Sequence, residues 1–201
     1  MATKSDEKLI KAGRALIAKH GIKSMTVRRV CQQAGVHLGT FTYFFKDKDT
    51  FLKKVFDALR REIMDFIDFA QVKDCDTLAQ LTYSYEKMAM FAYAHANLLR
   101  ALFVEFLTDE KQLKLYLKKG IIVPFDLPVE LINRGQREGV LKKDVSCVQM
   151  LDHFFFGGIV PILFAEGVGV LRSDPKRTKY DLNFCLNRMR ERIQEMEVKN
   201  D

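Results

Sequence analysis

The chain has 201 residues and 23.3 kDa, 48% of them apolar and only four of them proline, enough for a real core and in favour of helices over a turn-rich β fold. Its 33 Lys/Arg against 26 Asp/Glu leave a net +7, and the excess is local: residues 1–55 carry twelve Lys/Arg against four acids, so residues 56–201 sum to −1. No run of 18 apolar residues exists, since the most apolar stretch, 154–164, is interrupted by Gly157, Gly158 and Pro161, and this excludes a spanning helix.

The N-terminus, MATKSDEKLIK, lacks the continuous apolar segment of a secretory signal, so a cytoplasmic protein with no membrane partner is expected. Cys31, Cys75, Cys147 and Cys185 are scattered, without a CxxC pair or a histidine at metal spacing. They read as reduced thiols packed as small apolar groups, with no metal site and no cofactor expected. Cys75 lies between Asp74 and Asp76, whose carboxylates would raise a thiol pKa and disfavour a redox role.

In chain order, a first helix is expected from residue 5 or 6 to about 20, with Leu9, Ala12, Gly13, Leu16 and Ile17 as its apolar stripe and Gly21 as its end. Val27, Val30, Cys31 and Ala34 recur at i, i+3, i+4 and i+7, marking a short second helix over 27–33. Thr26 stands where a hydroxyl accepts from the first turn's free N–H groups, and Gly35 where the chain must leave the helix. A third helix is expected over 38–44, with Phe41 and Phe45 turned into a small core.

Two short helices joined by a tight glycine turn form the helix-turn-helix arrangement, whose second helix enters the major groove of DNA. The cationic excess falls on this region, where Lys and Arg would displace counterions from phosphates. A membrane-surface helix would instead need aromatics beside its basic stripe, and the first helix has none.

Asp47 is expected to cap a fourth helix over 48–70, with Phe51, Leu52, Val55, Phe56, Leu59, Ile63, Phe66 and Ile67 buried. This helix connects two regions of contrasting charge and is placed to act as a lever. After the polar break 73–77, further helices are expected over 77–94, 97–107 and 110–119, then a helix capped by Asp126 and stopped by Gly139. A long apolar helix over 145–166, loosened near Gly157, Gly158 and Pro161, precedes a loop over 167–175 and a last helix over 180–196. The tail from Glu197 reads as disordered.

Ala34-Gly35-Val36, Gly39-Thr40-Phe41, Tyr43-Phe44-Phe45-Lys46-Asp47-Lys48 and Phe51-Leu52 together resemble the signature of the TetR family of bacterial transcription regulators. The resemblance is dense over about 8–52 and rests beyond that on length and helical layout. It implies an all-α protein with a helix-turn-helix DNA-binding domain over 1–50 and a helical effector-binding and dimerisation domain over 51–201. It implies a ligand-responsive regulator, most often a repressor, that binds a (pseudo)palindromic double-stranded DNA operator as a homodimer and is released by a small apolar or amphipathic effector.

Carried over by position, the resemblance puts Thr26 and Lys48 at phosphate contacts, Tyr43 at an aromatic whose hydroxyl does likewise, and Arg28 where its fork can reach a base edge. Arg29 lies on the same exposed helix, and Gly39 and Thr40 let the third helix approach the backbone. His37, Leu38, Thr42 and Phe44 depart from the family's usual residues. His37 can cap the third helix or bond a base, whereas Leu38 offers only apolar contact, which shifts weight to shape and phosphates.

Phe66, Met88, Phe91, His95, Phe103, Tyr116, Phe125 and His153 mark an aromatic, Met-bearing interior suited to an apolar effector and equally to an ordinary core. Leu182, Cys185, Leu186, Met189, Ile193 and Met196 recur as one seam on the last helix. With Gly157 and Gly158 on the preceding helix, this seam is the expected dimer surface. Catalysis is not expected, because HExxH, P-loop and GxSxG patterns are all absent, and Glu62, Asp65 and Asp68 have no accompanying histidine. The alternative is a helical sensor or interaction protein of this fold that no longer binds DNA specifically, supported by Thr42 and Phe44.

Overall fold

The computed structural model describes residues 4–121, 126–165 and 182–198. Among these the chain is built of helices, with one isolated β-bridge, so the fold is all-α. It divides into two compact units: residues 1–62 with 97–124, and residues 63–96 with 125–201. The boundary expected at 50/51 divides the chain by role, whereas this division follows packing.

The first unit begins with α1, Lys4–Ser24, whose Leu9, Ala12, Leu16 and Ile17 are buried. Gly21 has φ 75° and ψ 168° and breaks the helix at its expected end, leaving one further turn. In α2, Val27–Ala34, the Thr26 hydroxyl accepts from the Arg29 N–H at 3.3 Å. Gly35, at φ 67°, lets the Val36 N–H return to the Cys31 carbonyl, so the helix stops and the chain turns sharply. Next comes α3, Leu38–Phe45, and then α4, Lys48–Ile67, capped by the Asp47 carboxylate on the Thr50 N–H at 2.7 Å. Two more helices complete the unit: α6, Ala96–Thr108, and α7, Glu110–Lys118, which is capped by Asp109.

Phe41, Phe45 and Phe51 form the aromatic heart of this unit, with ring centroids 4.9 to 5.4 Å apart. A Cβ on Gly13 would come within 2.5 Å of the Phe51 ring, so glycine is what lets α1 settle onto α4. Of the expected α4 stripe, Phe51, Leu52, Val55, Leu59 and Ile67 are buried, while Phe56 and Ile63 are half-buried. Phe66 is 39% exposed, contrary to expectation. The helix also stops at Ile67 rather than 70, because Asp68 adopts φ 44° and a short 3₁₀ turn, Phe69–Val72, follows.

The second unit packs α5, Thr77–Ala94, with α8, Leu127–Glu138, and α11, Leu182–Met196. Arg134 joins α8 to α5 by donating to the Thr77 hydroxyl at 3.0 Å and to the Gln80 side-chain carbonyl. Gln80 in turn donates to the Lys73 and Cys75 carbonyls, so these buried polar groups are satisfied. Asp126 sits at the α8 N-cap position in a helical conformation and makes no side-chain cap, unlike the expectation.

The long helix expected over 145–166 is three pieces: α9, Cys147–Phe154, a π-helical segment, Phe155–Ile159, and α10, Val160–Ala165. The wider turn coincides with the glycine pair, as the sequence suggested. Of the tail expected to be disordered, Glu197 and Val198 are ordered, and 199–201 lie outside the described residues. Glu197 bridges Leu141, the Lys142 N–H reaches the Met196 carbonyl at 3.0 Å, and the Val198 N–H reaches the Val140 carbonyl at 3.0 Å. Backbone partners distant in sequence order what composition alone left loose. The loop over 167–175, like the first residues of the expected last helix, lies outside the described residues.

Candidate nucleic-acid interface

The short helix α3 is positioned by what it hides. Phe41 and Phe45, four apart, are buried beneath it, so the remaining positions must face outward. Tyr43 is 83% exposed and Leu38 60%, with His37, Gly39 and Thr42 exposed beside them and Thr40 half-buried. Leu38 and Tyr43 thus leave apolar surface in water on the outward side of α3. Tyr43 is held edge-on by the Phe44 ring at 5.0 Å. The Thr42 hydroxyl donates to the Leu38 carbonyl at 3.2 Å, which turns its polar group back onto the helix. His37 occupies the N-cap position but makes no side-chain cap, so of its two expected roles only the outward one remains.

A Cβ on Gly39 would meet nothing within 4 Å, so the fold itself places no demand for glycine there. At the α3–α4 corner Lys46 has φ 57° and ψ −57°, and the Asp47 N–H closes a three-residue turn onto the Phe45 carbonyl. A positive φ in a lysine is a strained way to bring α4 in immediately behind α3.

On α2, Arg28 is exposed and its side chain makes no hydrogen bond or ion pair within the described residues. Arg29 differs. Its guanidinium donates to the Ser24 carbonyl at 2.9 Å and braces the α1–α2 turn, in a groove shared with Lys19, His20 and Gln32. Lys48 is half-buried, its ammonium 3.4 Å from the Ile22 carbonyl, which ties the start of α4 to the end of α1. Thr26 is exposed at the head of α2. The Asp47 carboxyl is held below its ordinary pKa, chiefly by the Thr50 backbone N–H and then by the Thr50 hydroxyl.

The expected effector residues are divided between the units. Phe66, Phe91 and His95 come together, with Phe66 edge-on to Phe91 at 5.7 Å and the His95 ring 4.2 Å from Phe91; Met88 is half-buried on the same helix. Phe103, half-buried, and Tyr116, buried, belong to the other unit. Burial raises the Tyr116 hydroxyl's pKa. Phe125 and the His153 side chain lie outside what is described.

The expected dimer seam is largely spent within the subunit. Cys185, Leu186, Met189 and Ile193 are buried, and Leu182 is half-buried. A Cβ on Gly158 would lie 2.6 Å from Met189, so that glycine admits the chain's own α11. Gly157 is exposed with nothing within 4 Å of its Cβ position, and its neighbour Phe156 is 56% exposed.

The sequence reading missed a cleft of about 780 Å³ in the first unit, where Lys11 and Arg14 of α1 face Lys54 and Arg61 of α4. The spacing of 54, 58 and 61 on one helical face was the available signal. Among the described residues no group of three or more potential metal ligands occurs, and no helix is long and apolar enough to cross a membrane.

Residues 9–55 match the family model for bacterial regulatory proteins of the tetR family. No curated protein sequence matches the chain. Many solved structures share its fold along nearly its whole length, three of which illustrate the likeness. One, assigned to the tetR family of transcription regulators, is from Shewanella sp. PV-4, with 18% identity, 98% of this chain and 100% of that one covered, and TM-score 0.69. A TetR family transcription regulator from Marinobacter aquaeolei VT8 has 17% identity, 97% and 96% coverage and TM-score 0.66. The fatty acid degradation regulator FadR from Bacillus halodurans has 20% identity, 96% and 96% coverage and TM-score 0.64. The motif-bearing residues 9–55 thus match the model of the tetR family of bacterial regulatory proteins, and the helices beyond them share the fold of these solved structures.

Proposed function

We propose that the chain is a transcription regulator that binds a (pseudo)palindromic duplex operator as a homodimer, acts as a repressor, and is released by a small apolar or amphipathic effector. The observation that carries the DNA-binding part is the exposed surface of α3, with Tyr43, Leu38, His37 and Thr42 outward over buried Phe41 and Phe45; on the preceding helix Arg28 is exposed and its side chain has no partner among the described residues. In this reading Thr26, Tyr43, Thr40 and Lys48 contact phosphates, Gly39 gives the backbone room, and Arg28 reaches a base edge. Arg29 contributes mainly by holding α2 against the end of α1.

Pairing presents two copies of α3 about 34 Å apart, one turn of duplex. With Cys185, Leu186, Met189 and Ile193 occupied internally, the pairing surface is the outward side of the same region, including Phe156 and Gly157. Phe66, Met88, Phe91 and His95 are the best-placed residues for an effector, and α4, continuous from Lys48 to Ile67, is the lever that would carry its effect. An effector acts only if it prefers one of two states of that lever.

Fluorescence anisotropy of the purified chain with duplexes from upstream of its own gene, over a range of salt concentrations, tests the reading. Sequence-selective binding that weakens steeply with salt and falls on Arg28→Ala is expected. Absent or salt-insensitive binding to every fragment would instead favour a helical sensor or interaction protein of the same fold.

A further inference from the structure

The cleft of the first unit, about 780 Å³, lies within the range of small-molecule sites. On one wall Lys11 and Arg14 of α1 stand three apart; on the other Lys54 and Arg61 of α4 share a face, with the small Ala58 between them leaving space. Ile10 and the half-buried Phe44 supply apolar lining. Arg14 is engaged by Glu62 in an ion pair, whereas no ion pair occurs among the described residues for Lys11, Lys54 or Arg61. Asp6 and Glu7, in the first turn of α1, are the carboxylates that also line the cleft; with Glu62 neutralising Arg14, the cations at the cleft still outnumber the acids by one.

Lys11, Lys54 and Arg61, exposed beside an aromatic and aliphatic lining, can share an anion at less cost than three separate hydration shells, and the lining rewards an anion with an apolar body. We propose that this cleft binds a small organic anion, a carboxylate, sulfonate or phosphate ester carried on an aromatic or alkyl group. The site shares no residue with the expected effector cluster of Phe66, Met88, Phe91 and His95. Its apolar lining includes Phe44, whose ring lies 5.0 Å from that of Tyr43, so an occupant touches the helix whose outer face carries the exposed DNA-facing residues.

The chain has no tryptophan, so a Phe44→Trp variant of the full-length protein carries a single indole at the cleft. Titration with 8-anilinonaphthalene-1-sulfonate at low ionic strength should give saturable energy transfer from that indole. In the same background Lys54→Glu with Arg61→Glu should weaken the probe by at least about tenfold, while Lys19→Glu, exposed on α1 outside the cleft, should leave it unchanged. The uncharged N-phenyl-1-naphthylamine should bind at least about tenfold more weakly than the sulfonate. Should the double charge reversal prevent folding, Ala58→Phe fills the cleft with all its charges intact and should likewise abolish transfer. Absence of transfer, or a titration indifferent both to charge reversal and to Ala58→Phe, overturns the proposal. Loss of duplex binding in Lys54→Glu/Arg61→Glu with the probe unaffected also overturns it, assigning these cations to the phosphate-contacting surface.

Discussion

Two glycines of the first unit look alike in sequence and differ in what surrounds them. Gly13 lies under the Phe51 ring, where an added methyl would sit 2.5 Å from an aromatic carbon. Gly39 faces open space. Gly13→Ala should therefore destabilise the chain by about 1–3 kcal/mol, since relief requires moving a ring packed against Phe41 and Phe45. Gly39→Ala should leave the denaturant midpoint unchanged or slightly raised, because alanine is the better helix former. If the DNA backbone approaches α3 there, the same variant should lose duplex affinity. Urea unfolding and anisotropy on both variants separate a glycine kept for the core from one kept for a partner; equal unfolding midpoints would refute the packing argument. Periodicity had placed Gly13 on the apolar stripe, but a residue's spacing does not reveal how near the opposing ring will come.

At the scale of elements, local chemistry was legible and nonlocal chemistry was not. The observed bounds of α2, α3 and α5 lie within about one residue of those read from the sequence, because caps such as Thr26, Asp76 and Gly35 act over three or four residues. The α3 surface was legible for the same reason, since Phe41 and Phe45 identify its hidden side. The 3.6-residue period identifies an apolar face without naming what covers it, and the α11 seam expected at a partner subunit packs on α5 and the π segment of its own chain. Ile193→Ala should consequently cost about 2–4 kcal/mol of subunit stability, with an effect on the unfolding midpoint that is the same at low and high protein concentration. A cost that disappears on dilution would return Ile193 to the dimer surface. The Asp47 cap gives a pH signature. Its folded pKa is depressed, so its stabilisation is present above the unfolded carboxyl value of about 3.9 and is lost as pH falls through the lower folded value. The difference in midpoint between the parent and Asp47→Ala should hold from pH 7 to 5 and vanish in strong acid; a difference persisting unchanged to pH 2 would show that the carboxylate is not its source.

For the whole molecule, the segregation of charge predicts how the proposed DNA binding would divide into affinity and specificity. A net +8 within residues 1–55, on a remainder near neutral, concentrates the field on the unit that bears α3. Phosphate contacts set the salt dependence of binding, whereas base contacts set the difference between sequences. Arg28, exposed and without a partner among the described residues, should act on the second, so that Arg28→Ala narrows the gap between operator and unrelated duplex by about 1–3 kcal/mol. Lys48 is the more demanding case, because its ammonium already lies 3.4 Å from the Ile22 carbonyl. If that bond only orients the ammonium toward a phosphate, Lys48→Ala should weaken all duplexes alike and lower the slope of log affinity against log salt by about one per subunit bound. If the ammonium serves only to brace α4 against α1, the slope should stay fixed while the unfolding midpoint falls. Measuring slope and midpoint together on Lys48→Ala assigns the residue to DNA or to the fold, because an exposed phosphate contact and an internal carbonyl brace make opposite demands on those two observables.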